Sequence, residues 1–117
     1  MNKIILTTSA LFLFFNVHYA LAEAITRDQA VQMMAECKTF RVQKIAPLKA
    51  KEIDRCVEKG KELASCERFY NDFGETYIAA NGYQQIGMFW DAPICKQALD
   101  LEKYFGLYPG KESFNAW

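Results

Sequence analysis

Histidine is almost missing from this chain. The single one among 117 residues is His18. It lies in the opening stretch MNKIILTTSALFLFFNVHYALA, which has the order of parts of a cleaved secretory signal. Lys3 is a short basic start, residues 4–15 are a chargeless run dominated by apolar side chains, and Ala20-Leu21-Ala22 is a small-x-small cleavage site. Cleavage after Ala22 leaves residues 23–117 as one domain without any imidazole. Ser-His and Cys-His nucleophilic catalysis, histidine metal sites and a histidine pH switch are then excluded. A long apolar run is missing too. A membrane-spanning helix needs about 20 predominantly apolar residues. Asn16 and His18 interrupt the leader before that length, and no later segment is apolar enough. Export to a periplasm or to the outside is expected, with no stable membrane insertion after cleavage.

Other absences narrow the function classes. The leader holds one charge, Lys3, so the remainder has 13 basic and 14 acidic residues, a net charge of −1. Nucleic-acid binders carry a clear basic excess, which this chain lacks. It has no C-x-x-C redox motif. Its cysteines are separated by 18, 9 and 28 residues, unlike the close pairs of structural zinc sites. No glycine loop cradles phosphate and no nucleophile motif is present. No cofactor is implied, and an enzyme is not expected.

Four cysteines are present: Cys37, Cys56, Cys66 and Cys95. In an exported domain of this size they read as two disulfides. Three pairings are open. The nested one joins Cys56 to Cys66 and Cys37 to Cys95, the tandem one joins Cys37 to Cys56 and Cys66 to Cys95, and the crossed one joins Cys37 to Cys66 and Cys56 to Cys95. The decision rests on Gly60. Bonded cysteines need Cα atoms within about 7 Å, whereas ten residues of unbroken helix span about 15 Å. A turn at Gly60 permits Cys56–Cys66, and one helix running through it forbids that bond. The turn and the nested pairing are favoured.

The apolar periodicity predicts an all-α domain of four helices. The first begins at Thr26, with Gln29 as the partner of a capping box, and carries Ala30, Met33, Cys37 and Phe40 at helical spacing. Pro47 is expected to end it or open the second helix, which carries Ile53, Cys56 and Val57. The third carries Leu63, Cys66, Tyr70 and Phe73, with Gly74 at its end. The last has Asp91 as expected N-cap, Pro93 in its first turn and Gly106 at its close. Between the last two helices, Asn81-Gly82 signals a turn within a short hairpin or an ordered loop.

Three features are candidates for function. Beyond the leader there are 13 aromatic residues, 12 of them from Phe69 onward. Phe69, Tyr70, Phe73 and Tyr104 read as core, while Tyr77, Tyr83, Phe89 and Trp90 read as a binding surface, since loop aromatics make good contact anchors. Lys44, Lys49, Lys51, Arg55, Lys59 and Lys61 are a candidate basic patch for anionic headgroups, polysaccharide or an acidic protein face. Glu67, Asp72, Glu75 and Asp91 are the carboxylates a glycoside hydrolase would use. The leading expectation is a non-enzymatic binding module for another protein or an envelope component. The alternatives are an inhibitor or immunity-type protein acting on an exported enzyme and, remotely, a small lytic enzyme.

Overall fold

A computed structural model describes residues 24–115; the expected leader and its cleavage site lie outside them. The fold is predominantly helical. Its elements, in chain order, are β1 (Ile25–Thr26), α1 (Arg27–Glu58), α2 (Leu63–Phe69), β2 (Tyr77–Ile78), β3 (Gln84–Gln85), α3 (Pro93–Leu107) and β4 (Ser113–Phe114). Four helices were expected and three are found among the described residues, because the first two are one helix of 32 residues with Pro47 inside it.

Proline inside a helix removes one backbone bond and crowds the carbonyl four residues earlier, at about 3 kcal/mol. Here Gln43 and Pro47 both lie on the exposed side of the helix. The helix is also anchored on both sides. Ile45 is buried before the proline. After it, Lys49 Nζ donates to the Asn71 carbonyl at 3.0 Å.

Both ends of α1 are closed by their own residues. At the start, the Gln29 N–H donates to Thr26 Oγ1 at 3.2 Å and the Thr26 N–H donates to Gln29 Oε1 at 2.8 Å, which is a full capping box. At the end, the Gly60 N–H donates to the Val57 carbonyl at 2.9 Å and the Lys61 N–H to the Cys56 carbonyl at 3.4 Å. This paired closure needs a left-handed residue after the helix, and Gly60 supplies it with φ +88°. The chain therefore turns, and Cys56 meets Cys66 with Cα atoms 5.9 Å apart. Cys37 and Cys95 form the second bridge, at 4.9 Å. The pairing is the nested one.

α3 lies along the first half of α1, tied to it by the Cys37–Cys95 bond. Met34, Cys37, Cys95 and Ala98 form one buried cluster, flanked by Met33, Phe40, Trp90 and Ile94. Ala30, Leu101 and Phe105 form a second, flanked by Ile25, Tyr104 and Phe114. The chain's last described strand returns to its first: β1 and β4 pair antiparallel, Ile25 opposite Phe114. Arg27 fastens that return by donating to the Pro109 and Lys111 carbonyls at 2.9 and 2.7 Å.

Three further expectations fail at helix ends. α3 is capped by Ala92 without a side-chain hydrogen bond, one residue after Asp91, and it continues through Gly106 to Leu107; Pro93 does occupy its first turn. α2 has seven residues and stops well before Gly74. With no element against its outer side, Phe69 is 80% exposed and is not core.

Candidate functional site

The segment between α2 and α3 folds into a hairpin. β2 and β3 pair antiparallel, with Tyr77 opposite Gln85 and Ile78 opposite Gln84. The turn closes through Gly82 N–H to the Ala79 carbonyl (2.9 Å) and Ala79 N–H to the Tyr83 carbonyl (2.8 Å). Asn81 Oδ1 accepts from the Tyr83 N–H at 3.0 Å, so its side chain braces the turn from within. Neither strand pairs with any other. Tyr77 and Ile78 are neighbours in β2 and so point to opposite faces, yet both are exposed. The hairpin thus projects from the helical body with both faces open.

A two-stranded hairpin alone is marginal in water. This one is pinned at its base by Arg41, which is buried to 4% exposure on α1. Arg41 Nε donates to the Met88 carbonyl at 2.8 Å and a terminal nitrogen donates to the Gly74 carbonyl at 3.1 Å. The same guanidinium meets Glu75 Oε2 at 3.3 Å and lies 4.1 Å from the centre of the Trp90 ring. One side chain therefore joins the segment entering the hairpin, the segment leaving it and Trp90 ahead of α3. The Met88 N–H donates to the Gly74 carbonyl at 2.8 Å and the Gly87 N–H to Thr76 Oγ1 at 3.1 Å, closing the neck. Gly87 makes room for the arginine: a Cβ there would fall 2.8 Å from the guanidinium and 2.9 Å from the Gly74 carbonyl oxygen. Just past the neck, Phe89 has φ +64°, a conformation costing a non-glycine residue about 1–2 kcal/mol. It directs the chain from the hairpin into the turn before α3.

The four aromatics expected to form a binding surface divide into two pairs. Tyr77 and Tyr83 are 61% and 64% exposed on the hairpin, joined there by Ile78 at 66% and Ile86 at 63%. Phe89 and Trp90 are half-buried at its base, and Trp90 packs against the Cys37–Cys95 cluster. The isoleucines escaped the sequence reading because single exposed aliphatics carry no periodic signal. Arg41 escaped it as well, although a signal existed. It falls at helical spacing on the buried stripe Ala30, Met34, Cys37, Arg41, Ile45, and a charged residue on a core stripe requires a buried partner.

Of the six basic residues, Arg55, Lys59 and Lys61 line one concavity. Lys44, Lys51, Arg55 and Lys59 are 7, 4 and 4 residues apart and share a face of α1, whereas Lys49 turns away to Asn71. Lys44 lies 5.7 Å from the Phe40 ring centre, and Arg55 pairs with Glu52 at 2.8 Å. Lys61 is in the connection to α2. Among the carboxylates, Asp72 and Glu75 share one turn, in which the Glu75 N–H donates to the Asp72 carbonyl at 3.0 Å. Glu75 is engaged by Arg41, and Glu67 borders an open depression with Ala64, Arg68 and Asn71. Among the described residues, no group of three or more Cys, His, Asp or Glu side chains is arranged to hold a metal, and no helix is long and apolar enough to cross a membrane.

Other concavities border the helices. An apolar groove of about 440 Å³ runs beside α3, lined chiefly by Ile25, Leu101, Tyr104, Leu107, Tyr108 and Phe114. A second, of about 470 Å³, lies where α1 turns into α2. Compared with family models, with curated proteins and with solved structures, the chain matches none.

Proposed function

We propose that this protein is an exported, non-enzymatic binding module that contacts a protein partner through its projecting hairpin. The observation that carries this reading is the contrast between the hairpin's surface and its base. From Thr76 to Trp90 the chain holds no charged residue, and Tyr77, Ile78, Tyr83 and Ile86 face solvent. Interface cores are depleted of charge and enriched in aromatics, with tyrosine among the strongest anchors. A flexible hairpin would lose ordering entropy on binding. The Arg41 lock removes much of that cost before any partner arrives.

The compartment fits this role. Two disulfides belong to an oxidising environment, and the leader-like start supplies a route to it. The uncharged hairpin tip supports contact through apolar shape and hydrogen bonds more than through the charged protrusion an enzyme inhibitor would present. A lytic role finds less support, since Glu75 is held in an ion pair with a buried arginine.

The test is capture from envelope extracts of cells that make the protein, using the oxidised wild-type domain beside a Tyr77→Ser/Tyr83→Ser variant. Each tyrosine is expected to contribute about 2 kcal/mol to the contact, or about thirtyfold in affinity. A specific partner retained by the wild type and lost by the variant supports the proposal. Identical recovery by both would refute it.

A further inference from the structure

The concavity at the corner between α1 and α2 is built differently from the apolar groove beside α3. Its walls combine the rings of Phe69 and Tyr70 with Arg55, Lys59, Lys61 and the hydroxyl of Ser65. The two rings meet edge to face with centres 4.9 Å apart, and Phe69 is mostly exposed. Cys56 also borders the space, so the Cys56–Cys66 bond fixes the two helices that form it. We infer that this concavity binds a small amphiphilic anion: a carboxylate on an aliphatic or aromatic body.

The charge count inside the space decides the sign of the ligand. Three cations line it against one carboxylate, Glu52, and Glu52 Oε1 already accepts from Arg55 at 2.8 Å. The Lys59 and Lys61 ammonium groups have no hydrogen-bond or ion-pair partner among the described residues. Ser65 Oγ accepts from Arg68 at 3.2 Å, which leaves its own proton to donate. The carbonyls in the last turn of α1 would repel an anion through the helix dipole. Those of Cys56 and Val57 are, however, occupied by the Lys61 and Gly60 N–H groups. The volume, about 470 Å³, is in the range of small-molecule sites.

The charge outside the space decides the ligand's size. From Lys51 to Arg68 there are five basic residues (Lys51, Arg55, Lys59, Lys61, Arg68) and five acidic ones (Glu52, Asp54, Glu58, Glu62, Glu67). A flat anionic membrane would meet this balanced face as a whole. A small anion seated in the concavity meets Arg55, Lys59 and Lys61 first, because Glu52 is the one carboxylate in its lining and is already paired with Arg55.

The test is an NMR titration of the ¹⁵N-labelled oxidised domain with decanoate below its aggregation threshold, with decanol and decyltrimethylammonium as neutral and cationic counterparts. Decanoate is expected to shift the amides of Arg55, Cys56, Lys59, Lys61, Ser65, Phe69 and Tyr70. It is expected to bind about tenfold more tightly than either counterpart, and Lys59→Gln/Lys61→Gln is expected to remove that preference. Phe69→Ser is expected to weaken all three ligands alike. Unchanged hairpin amide positions in both variants show that the fold is intact. Equal binding of decanoate and decanol, or shifts centred on Leu107 and Tyr108, would overturn the inference. So would equal binding to phosphatidylglycerol-containing vesicles and to decanoate.

Discussion

Arg41→Ala removes a side chain that joins both ends of the hairpin to the helical body, and its cost can be worked from the contacts. The Nε bond to the Met88 carbonyl is short, at 2.8 Å, and part-buried. A hydrogen bond from a charged donor contributes about 1.5–3 kcal/mol. The bond to the Gly74 carbonyl is longer, at 3.1 Å, and that carbonyl keeps the Met88 N–H, so about 1 kcal/mol is lost there. The stacking on Trp90 adds about 1 kcal/mol. Glu75 is 52% exposed, and its pair with Arg41 is discounted to about zero for screening. Against these losses, the variant no longer desolvates a guanidinium, which returns part of the sum. A net loss of about 3 kcal/mol is expected. For a domain with a margin of about 5–15 kcal/mol, that leaves it folded but weakened. Urea denaturation followed by Trp90 fluorescence in a Trp117→Phe background measures it, because Trp90 is the ring beneath the guanidinium. Native-state hydrogen exchange locates the effect. The Gly87 and Met88 amides close the neck, and they are expected to accelerate at least about tenfold beyond the change at Ala98 and Leu101, which follows global stability only. A loss below about 1 kcal/mol, or equal acceleration at all four amides, would refute the reasoning.

Gly87→Ala attacks the same lock from the other side. Its Cβ would fall under 3 Å from the guanidinium and from backbone, so a loss of about 2–4 kcal/mol is expected in the same denaturation assay. Gly60→Ala is the contrast: nothing lies within 4 Å of its Cβ. Only the left-handed conformation is penalised, by about 1 kcal/mol. The two disulfides differ in the loop they close, 58 residues for Cys37–Cys95 and 10 for Cys56–Cys66. Replacing each pair by alanine is expected to cost roughly 4 and roughly 3 kcal/mol from chain entropy alone. The first also opens the main core cluster, so its melting temperature is expected to fall further. Equal melting temperatures would contradict that placement.

The sequence was most legible where a local device acts alone. Thr26 and Gln29 form the capping box their spacing announces. Gly60 turns the chain, Pro93 opens α3, and Asn81-Gly82 marks the hairpin. It was least legible where tertiary contacts outweigh a local preference. Pro47 breaks helices by its own chemistry, yet α1 passes through it with Ile45 buried and Lys49 bonded to the Asn71 carbonyl on either side. Phe69 has helical spacing with Cys66 and Phe73, but α2 ends at Phe69 and no layer covers it. Asp91 is a good cap by composition and lies one position too early. The site was half-legible for the same reason. Tyr77 and Tyr83 stand out in an aromatic list, whereas the residue that makes their presentation rigid is a lone arginine 33 positions before Gly74. Only the fold brings the two together.

The most direct test of the binding role is site-specific photo-crosslinking in cells that export the protein. A photoreactive residue replaces Tyr83 at the hairpin, or Glu102 on the exposed side of α3 as the control. The account predicts one discrete crosslinked adduct from position 83, none from position 102, and loss of the first when Arg41→Ala is added. The same adduct from both positions, or an adduct from position 102 alone, would contradict it.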